Sequence, residues 1–378
     1  MTDTLLILNA GSSSVKFQLF GCSDDLPRLA TGSVTGIGSN PVLVASRDGT
    51  DSKIKVSLPP DETQKRAVRR ILDWMESLNA GWKVVGVAHR FVHGGANFFE
   101  PTIITSDVFH RLKEIIPLAL LHQPHHLAGV GVIAGILPSV PQIACFDTAF
   151  HAHHEEKFTN YALPQEITDK GVRRYGFHGL SYAYIAQTLK KDYPDLAKGR
   201  VVVAHLGNGS SLCAIKNGQG IDTTMGMTVL DGLPMGTRTG SIDPGAVFYI
   251  IRELNMTAAE VEQMFYMRSG LKGMSGVSND VKTLLESDNP RAKYALDYFC
   301  TYIAKNVASM AVSMGGIDAL IFTGGIGENA VPIRESVTNY LSFMSLPRVL
   351  VIPTNEERYM AEQAMAILNK REPERKVG

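Results

Sequence analysis

RVVVAHLGNGSSLCAIK, residues 200–216, is a run of β-branched and aliphatic residues, then a Gly/Asn/Ser turn, then a second apolar run. That is the pattern of a buried strand, a tight turn and a returning strand. Two hundred residues earlier the chain repeats the design. Residues 4–8 are an apolar strand candidate, Asn9-Ala10-Gly11-Ser12-Ser13-Ser14 is the turn, and residues 15–20 return. A single short match is slender, but both turns have the same chemistry, and we read two similarly built domains from it. Further strands are expected at 84–89, 142–146, 319–322 and 348–352. Helical periodicity marks 61–78, 180–190, 258–265, 294–314 and 356–368. Strands alternating with helices indicate an α/β architecture. The expected domains are 1–147, completed by the C-terminal helix 356–378, and 148–355.

The length of 378 residues fits two cores better than one. Apolar residues make up 44% and charged residues 20%, an ordinary globular balance. Lys+Arg and Asp+Glu are both 37, so the net charge is zero. This argues against nucleic acid or a membrane as the main partner, though not against a local cationic pocket. Cys22, Cys145, Cys213 and Cys300 form no CxxC motif, and sparse cysteine fits a reducing compartment. The N-terminus lacks a basic region followed by a long apolar one, and the apolar stretch 127–140 is too short to span a bilayer. The expectation is a cytoplasmic enzyme.

Three strands end in Gly-rich turns: NAGSSS (9–14), HLGNGSS (205–211) and FTGGIGEN (322–329). Glycine lets backbone N–H groups approach an anion, and Ser or Asn adds donors. One such turn is usually a plain hairpin; three after buried strands point to phosphate. None matches GxxxxGK[ST] or GxGxxG, so a nucleotide held between two domains by hairpin turns fits better than a P-loop or Rossmann site. Lys16, two residues past the first turn, reads equally as a phosphate contact and as a solvated strand lysine.

Arg90 precedes FVHGG, and Arg238 lies in MGTRTG, within a long irregular segment. A guanidinium fork suits carboxylate and phosphate, and a glycine loop lets it reach into a cleft. Asp147 closes the strand PQIACFD, at a carboxyl end where open α/β sheets place ligand sites; the plain alternative is a cap for the turn that follows. His178, in RRYGFHG, is a candidate anion contact. His151, His153, His154 and Glu155 do not have the spacing of a zinc motif and read as a polar helix start or loop, as do His122, His125 and His126 around Pro124. Thr354 and Glu357 make a capping box for the last helix, which leaves Glu356 free for another task.

In order from residue 9 to residue 357, NAGSSSVKF, HRFVHGG, FDTAFH, RYGFHG, HLGNGSS, MGTRTGSIDPG, FTGGIGEN and VIPTNEE resemble segments of the acetate kinase family. The resemblance covers nearly the whole chain. It implies the actin/hexokinase/Hsp70-like (ribonuclease H-like) fold, with two domains, each a mixed five-stranded sheet flanked by helices. It also implies ATP in the interdomain cleft and a homodimer. Carried over residue by residue, it implies that Asn9 and Glu356 bind magnesium, with manganese as an alternative ion. Lys16 and Ser12 would contact ATP, together with His205, Leu206, Gly207, Asn208 and Gly209. Asp280, Val281 and Lys282 would form a further nucleotide segment, and Gly325, Ile326, Gly327, Glu328 and Asn329 another. Arg90 would hold the substrate carboxylate and Arg238 the phosphoryl group. His178 would stabilise the transition state, and Asp147 would be the catalytic acidic residue. Val92, Leu121 and Phe177, with His122 beside them, would surround the substrate methyl.

The chain departs from the family at three places. TVLDGL (228–233) stands for the usual TPLEGL, so Val229 replaces a pocket proline; Ser241 stands for Asp; Lys282 stands for Arg. The implied reaction is ATP + acetate ⇌ ADP + acetyl phosphate by in-line transfer. Propionate or butyrate as acceptor is the near alternative. An ATP-gated clamp or filament protein is the alternative from another class, and Arg90 and Arg238 argue against it.

Overall fold

The computed structural model describes residues 1–11, 13–50, 52–344, 346 and 348–375, with side chains as far as Lys370. Ser12, expected at the nucleotide, lies outside the described residues. The chain divides into two compact units, Met1–Ala149 with Asn355–Gly378, and Phe150–Thr354.

The first unit is built on β1 (Thr2–Ala10), β2 (Ser14–Gly21), β3 (Arg28–Thr35), β4 (Val42–Arg47), β5 (Lys53–Ser57), β6 (Trp82–Phe91), β7 (Thr102–Ile103) and β8 (Gln142–Phe146). Their order in the sheet is β5-β4-β3-β2-β1-β6-β8-β7. The second unit carries β9 (Arg200–Leu206), β10 (Ser210–Lys216), β11 (Gln219–Thr223), β12 (Ala319–Thr323) and β13 (Val349–Val351), in the order β11-β10-β9-β12-β13. The two sheets share one plan. β1 is antiparallel to β2 and parallel to β6, which is parallel to β8. β9 is antiparallel to β10 and parallel to β12, which is parallel to β13. The duplication read from two turns is therefore present in the strand pairing.

A five-stranded sheet describes the second unit. The first has eight strands, which corrects the expectation drawn from the resemblance. After β3 the chain turns through Gly36 (φ 75°) and Gly38 (φ 84°) and continues the antiparallel meander with β4 and β5. Left-handed backbone costs glycine nothing, and the added strands take up the ladder groups that β3 would otherwise leave unpaired.

Residues 200–206 read as a buried strand because both faces of β9 are covered. Val202 and Ala204 face Phe299, Ile303 and Val307 of the helix Pro290–Met314, while Val201 and Val203 pack with Tyr182, Ile185 and Leu189 of the helix Gly179–Asp192. Side chains alternate across a strand, so two apolar faces give one unbroken apolar run. In the first unit, the helix Gln64–Ser77 lays Val68, Ile71 and Met75 on Leu6, Leu8, Phe17 and Leu19. The C-terminal helix Glu356–Arg375 packs on β1 and β6, where Gly86 leaves room for Leu368.

Two local readings change. FTGGIGEN is not a hairpin turn. Gly324 takes φ 77° and the chain enters a short helix, Gly324–Asn329, with the Gly324 N–H donated to Glu328 Oε1 at 2.9 Å. The expected capping box of Thr354 and Glu357 does not form, because the helix starts one residue later than that box requires. Asn355 Oδ1 accepts the Arg358 N–H at 3.0 Å and is the cap. Thr354 instead donates its N–H to Glu328 Oε1 at 3.1 Å and accepts the Ser181 hydroxyl at 2.9 Å.

Candidate active site

In the first unit the chemistry gathers at the carboxyl ends of β1, β6 and β8. Arg90 is the penultimate residue of β6 rather than part of a glycine loop, and it pairs in register with Cys145 of β8. One residue past β8, the Asp147 N–H is donated to the Phe91 carbonyl at 2.9 Å. Its side chain lies beside Arg90. Arg90 Nη2 donates to Asp147 Oδ2 at 2.8 Å and Nε to Oδ1 at 3.2 Å, while Nη1 lies 3.2 Å from Glu356 Oε2. The side chains of Arg90, Asp147 and Glu356 are 20%, 3% and 13% exposed. Burial works against the Arg90 charge, but Asp147 and then Glu356 outweigh it and hold the guanidinium more firmly charged than usual. Burial raises the Glu356 carboxyl, with Glu357 adding to the rise, while Arg90 and Lys16 oppose it. Lys16 is the register partner of Asn9 across β1 and β2, and its charge is one of the two that oppose the rise at Glu356.

The loop after β6 is tied down from three sides. The Val92 N–H reaches His126 Nδ1 at 3.4 Å, the Gly94 N–H donates to Thr148 Oγ1 at 3.0 Å, and Gln123 Nε2 donates to the His93 carbonyl at 3.3 Å. Burial, then the neighbouring His122, holds His126 well below the usual imidazole range, so it is the neutral ring that receives the Val92 amide. Val92 and His122 are thus both neighbours of His126, whereas Leu121 is 52% exposed. Phe177 and Val229 belong to the second unit. Phe177 is 1% exposed, and its carbonyl is held by His151 Nε2 at 3.0 Å. His151 closes the short 3-10 helix Ala149–His151 and is buried, while 152–155 form the loop that leads into the helix Glu156–Thr159, as read from the sequence.

In the second unit His178 and Arg238 converge on Gly209. A Cβ placed on Gly209 would lie 3.4 Å from both His178 Nε2 and Arg238 Nη2. His178 takes a left-handed conformation (φ 58°, ψ 21°) at the start of the helix Gly179–Asp192, unusual for a residue other than glycine. Its ring stacks on His205 with centroids 4.3 Å apart, and His205 Nδ1 bonds Ser181 Oγ at 2.8 Å. Arg238 donates from Nη1 to the Val229 carbonyl at 2.9 Å, and among the described residues it pairs with no carboxylate. Burial lowers its proton affinity, and only Tyr266 opposes that. The base of its loop is closed by Ser241, whose hydroxyl donates to Asp231 Oδ1 at 2.6 Å and accepts the Gly232 N–H at 3.1 Å.

The expected nucleotide segments meet around the β9–β10 turn. Gly324 lies against the Leu206 backbone, and Asn279 Nδ2 donates to Asn208 Oδ1 at 3.1 Å, which brings residues 280–282 beside that turn. Leu206 and Val281 are core side chains, so only their backbones are available to a ligand. Asp280 caps the helix Val281–Leu285 through Thr283, and Lys282 is exposed. Gly325 has open space where a side chain would be, and Asn329 Nδ2 donates back to its carbonyl at 2.9 Å. Ser181, Tyr182, Ser211 and Asn279 escaped the sequence reading. Ser211 alone carried a signal, as the last residue of HLGNGSS.

A model of the acetokinase family matches residues 4–348. The chain belongs to the acetokinase family. One acetokinase-family relative, an acetate kinase of Rhodopseudomonas palustris, is 46% identical over 357 residues, covering 92% of this chain and 88% of its own. Two solved structures share the fold at 36% identity. A propionate kinase from Francisella tularensis has a TM-score of 0.91 over 96% of this chain and 99% of that one. An acetate kinase from Porphyromonas gingivalis has a TM-score of 0.88 over 97% of this chain and 100% of that one. An acetokinase is an ATP-dependent phosphotransferase with a carboxyl group as acceptor, and this chain is one.

Proposed function

We propose that the chain catalyses ATP + acetate ⇌ ADP + acetyl phosphate, with magnesium, in the cytoplasm. The observation that carries this reading is the half-buried Arg238, without a carboxylate partner among the described residues, converging with His178 on Gly209. Two such donors suit the charge spread over a phosphoryl group in transfer. The acceptor carboxylate is already ionised at neutral pH, so no strong base is needed. Asp147, engaged by Arg90, organises rather than removes a proton. Arg90 uses Nε–H and one N–H of Nη2 for Asp147, with Nη1 lying 3.2 Å from Glu356, which leaves N–H groups of the terminal nitrogens for a substrate carboxylate. The backbone at 207–209, 280–282 and 325–329 of the second unit holds the nucleotide, and Lys16 keeps the ATP contact read from the sequence.

Asn9 and Glu356 would hold magnesium, or manganese, through an amide oxygen and a carboxylate, both hard oxygen donors. Among the described residues no group of three or more His, Cys, Asp or Glu is placed to hold a metal. Magnesium needs no such cage: it takes one or two carboxylates, waters and substrate phosphates. When bound, it supplies charge neutralisation on the phosphates. The cytoplasmic assignment draws on four free cysteines. No helix among the described residues is long and apolar enough to cross a membrane.

The acid is tested by kcat/KM on acetate, propionate and butyrate. Each added methylene is worth roughly 1–3 kcal/mol in either direction, so acetate should lead propionate by about 10–200-fold at most. A lead for propionate would move the assignment to the other named relative's acid. Val229→Ala should shift the ratio towards propionate, with a smaller loss on acetate than either arginine variant shows. An unchanged ratio would place Val229 outside the pocket.

We also read the chain as a homodimer. The helix Pro244–Glu253, PGAVFYIIRE, buries none of its residues, and Phe248, Tyr249, Leu254 and Met267 are 59%, 57%, 58% and 57% exposed. A second copy covers this face in our reading. Sedimentation velocity should show a dimer that Phe248→Asp converts to monomer; a Phe248→Asp dimer would put the interface elsewhere.

A further inference from the structure

Behind His178 runs a short chain of hydroxyls. His178 Nδ1 lies 2.8 Å from Ser211 Oγ, and Ser211 Oγ lies 2.5 Å from the Tyr182 hydroxyl. Ser211 and Tyr182 are both fully buried, so the order of donors is set within the protein. Ser211 has one proton to give and two neighbours. A phenol is the better donor and the poorer acceptor of the two, and an imidazole lone pair is the better acceptor. The favoured order is therefore Tyr182 O–H to Ser211, then Ser211 O–H to His178 Nδ1. Which ring nitrogen of a histidine carries the proton is decided by the bond the other one makes. With Nδ1 accepting, Nε2 holds the proton, and Nε2 is the ring nitrogen that, like Arg238 Nη2, lies 3.4 Å from where a Cβ on Gly209 would stand.

We propose that Ser211, backed by Tyr182, is a positioning residue that fixes His178 as a donor from Nε2 toward the transferring phosphoryl group. The proposal rests on the reading of His178 as a phosphoryl-stabilising group. The same contacts hold the ring in place: Tyr182 lies one turn into the helix that His178 opens, and Ser211 lies on β10, so the imidazole is braced from a helix and a strand at once. His205, stacked 4.3 Å away, limits rotation of the ring about its other axis.

The test uses uniformly 15N-labelled full-length protein. Ring-nitrogen shifts of His178, assigned by difference from His178→Gln, should report Nε2–H with an unprotonated Nδ1. Ser211→Ala should mix the two tautomers and lower kcat by about 10-fold to 10²-fold, the scale of misplacing a catalytic group, with KM for ATP and acetate unchanged. Tyr182→Phe keeps the ring shape, tests the relay if Ser211→Ala does not fold, and should give the same tautomer mixing with a smaller loss of kcat. An Nδ1–H signal in the wild type, or unaltered shifts and kcat in the folded variants, would overturn the proposal. Wild-type kcat in His178→Ala would instead remove the phosphoryl-stabilising role of His178, and the 15N shifts would still decide whether Ser211 sets its tautomer.

Discussion

Arg238→Ala is expected to lower kcat by about 10²–10³ and to leave the fold intact, because on the proposed reading its charge serves transfer and not folding. Arg238 makes no ion pair among the described residues; its neutral partners are the Val229 carbonyl and the Met235 sulfur. Truncation leaves no buried carboxylate behind. Burial already weakens its hold on its proton, a cost the fold bears without a compensating charge. Circular dichroism and urea unfolding of Arg238→Ala should match the wild type while single-turnover transfer is nearly lost. Wild-type kcat in a folded Arg238→Ala would remove this residue from the mechanism.

Arg90→Ala behaves differently, although it also abolishes most activity. Arg90 bonds Asp147 and lies against Glu356, two carboxylates that are 3% and 13% exposed. Removing one partner of a buried ion pair typically costs about 3–5 kcal/mol, since the remaining charge is uncompensated. Glu357 adds to the repulsion at Glu356. Urea unfolding should therefore show Arg90→Ala destabilised by that order while Arg238→Ala is not. Equal midpoints for the two variants would mean that the Arg90–Asp147–Glu356 cluster is not held as described.

The contrast between the two arginines also shows where sequence reading reached and where it stopped. Arg238 was legible because glycines flank it and no helix or strand pattern claims it. Arg90 was found for a partly mistaken reason, since it lies in β6 and its partners come from β8 and the C-terminal helix. The duplicated plan was legible at 4–20 and 200–216, where local turn chemistry and two-sided burial coincide. β4 and β5 were not, because an antiparallel extension with one exposed face leaves a weaker pattern. The cap of the last helix was missed by one residue: Thr354 matches a capping box, but Glu328 and Ser181 claim it from elsewhere in the fold. The same holds for Ser211 and Tyr182, 29 residues apart and joined by a helix packing on a sheet. Residue spacing carries local hydrogen bonds; it does not carry those that tertiary packing makes.

The central claim is that this chain phosphorylates a small carboxylate directly. It is tested by incubating the purified protein with ATP, acetate and magnesium in the presence of hydroxylamine, which traps acyl phosphate as the hydroxamate. The account predicts acetohydroxamate in step with ADP, none without acetate, and none when EDTA removes the metal. ADP formed without hydroxamate, or at the same rate whether or not acetate is present, would contradict it.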